Sequence, residues 1–153
     1  MSTLELKVPP VALVLIFGVA MWLVSAYEAS LAFTLPWRTA IAVAFVGAGV
    51  IISLAGVVAF RKAKTTVNPT KPGTTSAMVT SGVYRLSRNP MYVGFLFVLT
   101  GWAAFLSHTL PFAFLPFFVA YMNCFQISPE ERVLSAKFGS EFADYKQSVR
   151  RWL

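Results

Sequence analysis

Residues 37–60 read WRTAIAVAFVGAGVIISLAGVVAF, and after Arg38 no charged residue occurs until Arg61. A helix that crosses the hydrocarbon core of a bilayer needs about 20 consecutive apolar residues, with a range of about 17–25. This run meets that length. Its apolar residues are continuous and do not alternate with polar ones, which argues for a helix over a strand. The same reading applies at residues 8–27 (VPPVALVLIFGVAMWLVSAY), 91–107 (MYVGFLFVLTGWAAFLS) and 110–127 (LPFAFLPFFVAYMNCFQI). The expectation is an all-α integral membrane protein of four transmembrane helices, followed by C-terminal amphipathic interfacial helices.

The composition agrees. The chain of 153 residues is 57% hydrophobic and 12% charged, more apolar surface than a soluble domain of this size could bury. One domain is expected, residues 1–153. The formal charge of +7 raises nucleic acid as a partner. The basic residues, however, flank the apolar runs, so they read as orientation signals and headgroup contacts, with the bilayer as the partner and no nucleic acid. The single cysteine, Cys124, excludes an internal disulfide and a cysteine-based zinc cluster. No metal is expected, and the sequence assigns no oligomeric state. The long apolar run after MSTLELKVPP is followed by no small-residue cleavage site, so it reads as a span and not as a signal peptide.

Charge sets the orientation. The connection 61–89 carries Arg61, Lys62, Lys64, Lys71, Arg85 and Arg88, and the tail 128–153 carries Arg132, Lys137, Lys146, Arg150 and Arg151. The opposite side has only Arg38. By the positive-inside rule both polar segments and both termini are cytoplasmic, in a membrane expected to be the bacterial cytoplasmic one. Between the third and fourth spans only His108 and Thr109 remain, which demands a tight hairpin. His108 reads as a surface residue there, and Glu28 as an interfacial one. Pro116 lies inside the fourth span, where a kink is expected.

In the tail, Leu134, Phe138, Phe142, Tyr145, Val149 and Trp152 recur at spacings of three and four, with charges on the other face. This amphipathic pattern suits a helix lying along an interface, in one piece or in two joined at Gly139.

Candidate functional residues gather on the basic side. Glu130 and Glu131 follow ISP. With Ser128 as N-cap, Pro129 in the first turn and Glu131 three residues on, they read as a capping box. As an adjacent carboxylate pair at the edge of a bundle they also suit a cationic ligand. Arg88, Asn89, Pro90 and Tyr92 crowd the mouth of the third span. Singly, Arg88 is a headgroup anchor, Tyr92 belongs to an aromatic belt and Gly94 permits close helix packing. Asn123 and Gln126, in the last turns of the fourth span, face either a neighbouring helix or a ligand. Ser53, in the middle of the second span, is expected to bond back to its own helix.

Two stretches taken together resemble a known family. MVTSGVYRLSRNPMYVG (Met78–Gly94) and PEERVLSAKFGSEFADYKQSV (Pro129–Val149) are similar to the isoprenylcysteine carboxyl methyltransferase family, whose superfamily includes membrane phospholipid methyltransferases. The shared positions are Gly82, Tyr84, Arg88, Asn89, Pro90, Tyr92 and Gly94. After the hairpin come Glu130, Glu131, Leu134, Phe138, Gly139, Phe142 and Tyr145. TTVNP (Thr65–Pro69) also looks like bacterial members.

The resemblance implies S-adenosylmethionine as methyl donor, held in a mostly buried pocket at the cytoplasmic face by Tyr84, Arg88, Asn89, Pro90, Tyr92, Gly94 and Glu131. It implies catalytic roles for Glu130, Glu131 and Arg88. Asn68, Asn123 and Gln126 are the candidates for a lipophilic acceptor: a prenylcysteine-type carboxylate, a lipid amine or a small thiol. Asn89 stands where the eukaryotic enzymes have histidine; it hydrogen-bonds but cannot titrate. An NADPH-dependent membrane reductase of the sterol reductase type and a non-enzymatic lipid-binding scaffold are the alternatives.

Overall fold

The computed structural model describes residues 5–63 and 77–153. Asn68, Lys64, Lys71 and the TTVNP segment lie outside the described residues. Among the described residues the protein is helical, with no strand beyond an isolated bridge between Ala32 and His108. The helices are α1 (Pro10–Tyr27), α2 (Arg38–Lys62), α3 (Pro90–Leu106), α4 (Thr109–Tyr121) and α5 (Ser128–Ser148). Short 3-10 turns occupy Ala29–Leu31 and Gly82–Arg85.

Among the described residues, three helical stretches are long and apolar enough to cross a membrane: Pro10–Tyr27, Arg38–Lys62 and the continuous run Thr109–Ser148. The apolar helix α3 has 17 residues. It is the central one, packing on α1, α2 and α4 and burying Tyr92, Val93, Gly94, Leu99, Gly101, Ala103 and Ala104. The outward faces of α1 and α2 expose Leu15, Ile16, Val19, Val43, Ile51 and Leu54. Water would not tolerate so large a contiguous apolar surface, whereas hydrocarbon does.

The α2–α3 interface is built from small residues. Ala42, Gly49 and Gly56 are the buried positions of α2, seven residues apart. Gly101 and Gly94, also seven apart, oppose them on the antiparallel α3. A Cβ at Gly49 would lie 2.5 Å from the Gly94 carbonyl oxygen, and one at Gly101 would lie 3.0 Å from the Ala42 carbonyl oxygen. Small residues at this repeat let two backbones touch in a medium where the hydrophobic effect does not drive association. Ser53 joins the same seam. Its hydroxyl donates across to the Met91 carbonyl (3.3 Å) and not back to its own helix, because the chain of Met91 approaches that closely.

The chain does not break after the fourth apolar run. Ser128 is helical (φ −62°, ψ −42°), so it caps nothing, and the capping box is absent. Instead α4 passes into α5 through a π-helical turn, Met122–Ile127, in which the Ser128 N–H reaches the Asn123 carbonyl five residues back. Pro129 accounts for the irregularity: having no N–H, it leaves the Phe125 carbonyl without its usual partner. The Leu6 N–H takes that place (3.0 Å), which ties the N-terminal segment to this end of the bundle beside the Arg132–Glu5 ion pair. At Gly139 the backbone leaves helical geometry (φ 53°, ψ −121°), so α5 is two helical segments joined there.

At the opposite end His108 is buried, 1% exposed, and is not the surface residue expected. Ser107 turns the hairpin with a left-handed φ of 50°. The loop after α1 folds over it, with the Phe33 N–H donating to the Ser107 carbonyl at 2.9 Å. The His108 Nε2–H donates to the Glu28 carbonyl, and Nδ1 accepts from the Leu110 N–H (3.2 Å) as the cap of α4. Both ring nitrogens are therefore used in one tautomer. The Glu28 side chain is exposed and caps the Ala29–Leu31 turn. Its carboxyl is held below the usual range by the Ser30 hydroxyl and N–H. His108→Ala leaves the partly buried Glu28 carbonyl and the Leu110 N–H at the start of α4 without their partner. The expected loss is about 1–3 kcal/mol of stability, read as a lower thermal midpoint in detergent.

Candidate active site

The site forms where α3 begins, α4 passes into α5 and the chain leaves α5. Gly82 (φ +62°) supplies the left-handed residue that starts the 3-10 turn Gly82–Arg85. The Tyr145 hydroxyl donates to the Tyr84 carbonyl (2.7 Å) and pins that turn to α5. The Tyr84 ring packs edge-on against Phe60. Burial pushes its phenol above the usual range, so it stays protonated. Pro90 opens α3 at its first position with φ already set for a helix. A residue before proline is kept out of the α region, and Asn89 accordingly sits at φ −130° and ψ 54°. Arg88 and Asn89 are thus turned away from α3, toward α5.

Arg88 enters a ring of acceptors. One terminal nitrogen donates to the main-chain carbonyls of Lys146 (2.9 Å) and Val149 (3.0 Å), at the C-terminal end of α5. A cation is favoured at that end of a helix by the unpaired carbonyls and the dipole. The other donates to Glu131 Oε1 (3.0 Å). Its Nε–H is buried and has no acceptor among the described residues.

Glu131 also receives both branches of Arg151, Nε to Oε1 at 3.2 Å and Nη2 to Oε2 at 2.6 Å. One carboxylate therefore serves two guanidinium groups, and the cluster keeps a net positive charge. Its neighbour Glu130 belongs to a separate set. Glu130 Oε1 accepts from the Tyr92 hydroxyl (2.6 Å) and from Gln126 Nε2 (2.7 Å). The two adjacent carboxylates thus face different partners: one is bound to cations, the other is held by neutral donors.

The structure brings Arg88, Asn89, Tyr92, Gln126, Glu130 and Glu131 into this one region. Asn89 Nδ2 donates to the Arg151 carbonyl (2.9 Å), and Asn123 Oδ1 accepts from the Trp152 indole (3.0 Å). Pro90 is buried as the first residue of α3, and Gly94 points into α2, where a side chain would overlap Gly49 and Ser53. Arg151, Trp152 and Ser87 were not singled out by the sequence reading as members of the site. Arg151 reads in sequence as one more cytoplasmic charge, and nothing short of the fold brings it to Glu131.

Away from the polar cluster, an apolar groove of about 460 Å³ is lined by Val14, Gly18 and Trp22 of α1, Val46 of α2, and Val98, Leu99 and Trp102 of α3, among others. The Trp102 indole N–H donates to the Gly18 carbonyl (3.0 Å), so these two polar groups of the wall satisfy each other.

A family model described as phospholipid methyltransferase matches residues 37–141, from the start of α2 through both glutamates. The chain belongs to the phospholipid methyltransferase family. As a member of that family with three helices able to cross a membrane, the protein is an integral membrane methyltransferase. A protein of Haemophilus influenzae described as uncharacterized is 43% identical over 63 residues, which are 41% of this chain and all of that protein. No solved structure matches. The family match ends before Arg151 and Trp152.

Proposed function

We propose that the protein transfers the methyl group of S-adenosylmethionine to a lipophilic acceptor at the cytoplasmic face of the membrane. In this reading α3 is a fourth span, and α5 lies along the interface with the site beneath it. The N-terminus and the segment after α5 are then cytoplasmic, and the bilayer is the partner. The observation that carries the reading is the paired carboxylate arrangement. Glu131 is clasped by Arg88 and Arg151 beside a Glu130 held by the neutral donors Tyr92 and Gln126, and all of these but Arg151 lie within the residues matched by the methyltransferase family.

That donor set fits the amino-acid end of the cofactor. The free Nε–H of Arg88 and the net positive charge around Glu131 suit its carboxylate. The Tyr92 ring can face the positive charge of its ammonium and sulfonium. When bound, the cofactor supplies an electrophilic methyl on a sulfonium, and transfer is an in-line displacement. The protein's task is then alignment and exclusion of water. Arg88 and Glu131 fix the donor, and Tyr92 with Gln126 orients Glu130. Glu130 is the residue placed to take a proton from an amine or thiol acceptor; a carboxylate acceptor would need no base. The apolar groove supports a lipophilic acceptor. Tyr92 and Val98 are separated by about 9 Å along α3, at the helical rise of ~1.5 Å per residue. An acceptor with its head near Glu130 could lay its tail along the bundle toward that groove.

The test is methyl transfer by the purified protein from labelled S-adenosylmethionine into a total membrane-lipid extract supplemented with small prenylated thiols. Label in an extractable lipid product is expected. Absence both of transfer and of donor binding by calorimetry at near-millimolar concentration rejects the proposal. Within that assay, Arg88→Lys keeps the charge and loses the planar fork. At about 1.5–3 kcal/mol per lost charged hydrogen bond, donor affinity should fall more than tenfold.

A further inference from the structure

The segment that follows α5 lies outside the residues matched by the family, yet it touches most of the site. Val149 leaves helical geometry (φ −130°, ψ 135°), and the chain turns back across the mouth of α3. The Arg88 N–H donates to the Arg150 carbonyl (2.9 Å), and Asn89 Nδ2 and the Ser87 hydroxyl both donate to the Arg151 carbonyl (2.9 and 3.3 Å). Arg151 grips Glu131 with both branches, and the Trp152 indole grips Asn123. Two groups of the family motif, Asn89 and the Arg88 main chain, are thus bonded to this segment's own carbonyls.

We propose that residues 149–152 are a latch over the active site, with Arg151 and Trp152 as its two catches, and that it must release for the donor to enter or leave. Three observations carry this. Beyond Val149 the segment is non-helical and makes no helical hydrogen bonds, so releasing it unravels no helix. Its Arg151 side chain is about a third exposed (35%), whereas Arg88 beneath it is 11% exposed. The Arg88 Nε–H has no acceptor and is buried in the closed arrangement. A ligand acceptor reaches that donor only when the segment covering Arg88 moves aside. The catches are of two kinds, one ionic and one a neutral indole–amide bond. Loss of either weakens the latch; because Arg151 also lends positive charge beside Glu131, Trp152→Phe alone is the variant that tests release without touching the donor-binding charges.

The inference rests on the donor-binding reading for its kinetic consequence, but not for its structural one. The structural arm uses spin labels at Leu86→Cys and Leu153→Cys, both exposed positions, in a Cys124→Ser background. A single narrow distance distribution is expected with the latch intact. Arg151→Ala combined with Trp152→Ala should add a second, longer population. Identical distributions in the two proteins overturn the latch. Because loss of the indole could disturb packing, Trp152→Phe with Arg151→Gln serves as the second variant. It keeps the bulk, removes both catches and should show the same added population.

In the kinetic arm, rapid mixing with S-adenosylmethionine should show association and dissociation both faster by about tenfold in the released variants, with a smaller change in Kd. A change in dissociation alone makes the segment an ordinary wall of the pocket and overturns gating. If no variant binds the donor, the proposed function falls, and the distance measurement alone decides whether the latch exists.

Discussion

Glu131→Ala should abolish methyl transfer and cost about 3 kcal/mol of stability, the low end of the range for removing one partner of a buried ion pair. The low end applies because Arg151 is 35% exposed and water can rehydrate it, while Arg88 cannot escape. With the carboxylate gone, two guanidinium groups lie close together without their shared counter-charge. Arg88 keeps its carbonyl acceptors at Lys146 and Val149, but the segment after α5 loses its ionic catch. Glu131→Gln is the sharper version, since it keeps the shape and one acceptor oxygen. It should retain more of the thermal midpoint than Glu131→Ala and still lose most donor binding. Thermal unfolding in detergent and calorimetry with the donor check both. A double-mutant cycle with Arg88→Ala isolates the pair. If Glu131→Ala unfolds at the wild-type temperature, the Arg88–Glu131–Arg151 cluster is not what holds α3 to α5.

The same cluster shows where sequence reasoning reaches and where it stops. Arg88, Tyr92, Glu130 and Glu131 were legible because a motif places them at fixed spacing and because charged groups beside apolar runs need a reason to be there. Their division of labour was not legible. The dipeptide of glutamates after ISP fits a capping box by spacing alone. Only the π-helical turn ahead of Pro129 shows that the helix has no start there to cap. An apolar pattern does not distinguish a helix that ends from one that changes hydrogen-bond period. His108 was misplaced for a related reason. A polar residue in a two-residue hairpin reads as exposed until a loop from elsewhere, here Glu28–Phe33, is seen to fold across it. Arg151 and Trp152 depend on where the chain goes after leaving α5, which no local pattern encodes. Gly94, by contrast, had its partner in the sequence. The repeat Ala42, Gly49, Gly56 facing Gly94, Gly101 is visible as small residues at sevens on both segments, and the reading that took Gly94 as a packing residue is the one its neighbours support.

That repeat carries the last large effect. Gly49→Leu should prevent α2 and α3 from closing, at a cost of about 3 kcal/mol or more, because overpacking here meets main chain and not a side chain that can rotate away. A Cβ alone at Gly49 would lie 2.5 Å from the Gly94 carbonyl oxygen and 2.9 Å from Val98 Cγ2. Gly47→Leu is the control: it lies on the same helix two residues earlier, and a Cβ there meets nothing within 4 Å. Both substitutions add the same apolar volume and the same helix propensity. A general intolerance of bulk in α2 would lower both thermal midpoints alike, whereas the small-residue seam predicts that Gly49→Leu falls and Gly47→Leu does not. The consequence extends to the site. The seam fixes the height and rotation of α3, and α3 begins one residue after Asn89, so a helix pushed outward carries Arg88 away from Glu131 and Tyr92 away from Glu130. Gly49→Leu should therefore lose methyl transfer at temperatures where the protein still unfolds cooperatively, because those two contacts lie 3.0 and 2.6 Å long and tolerate little displacement.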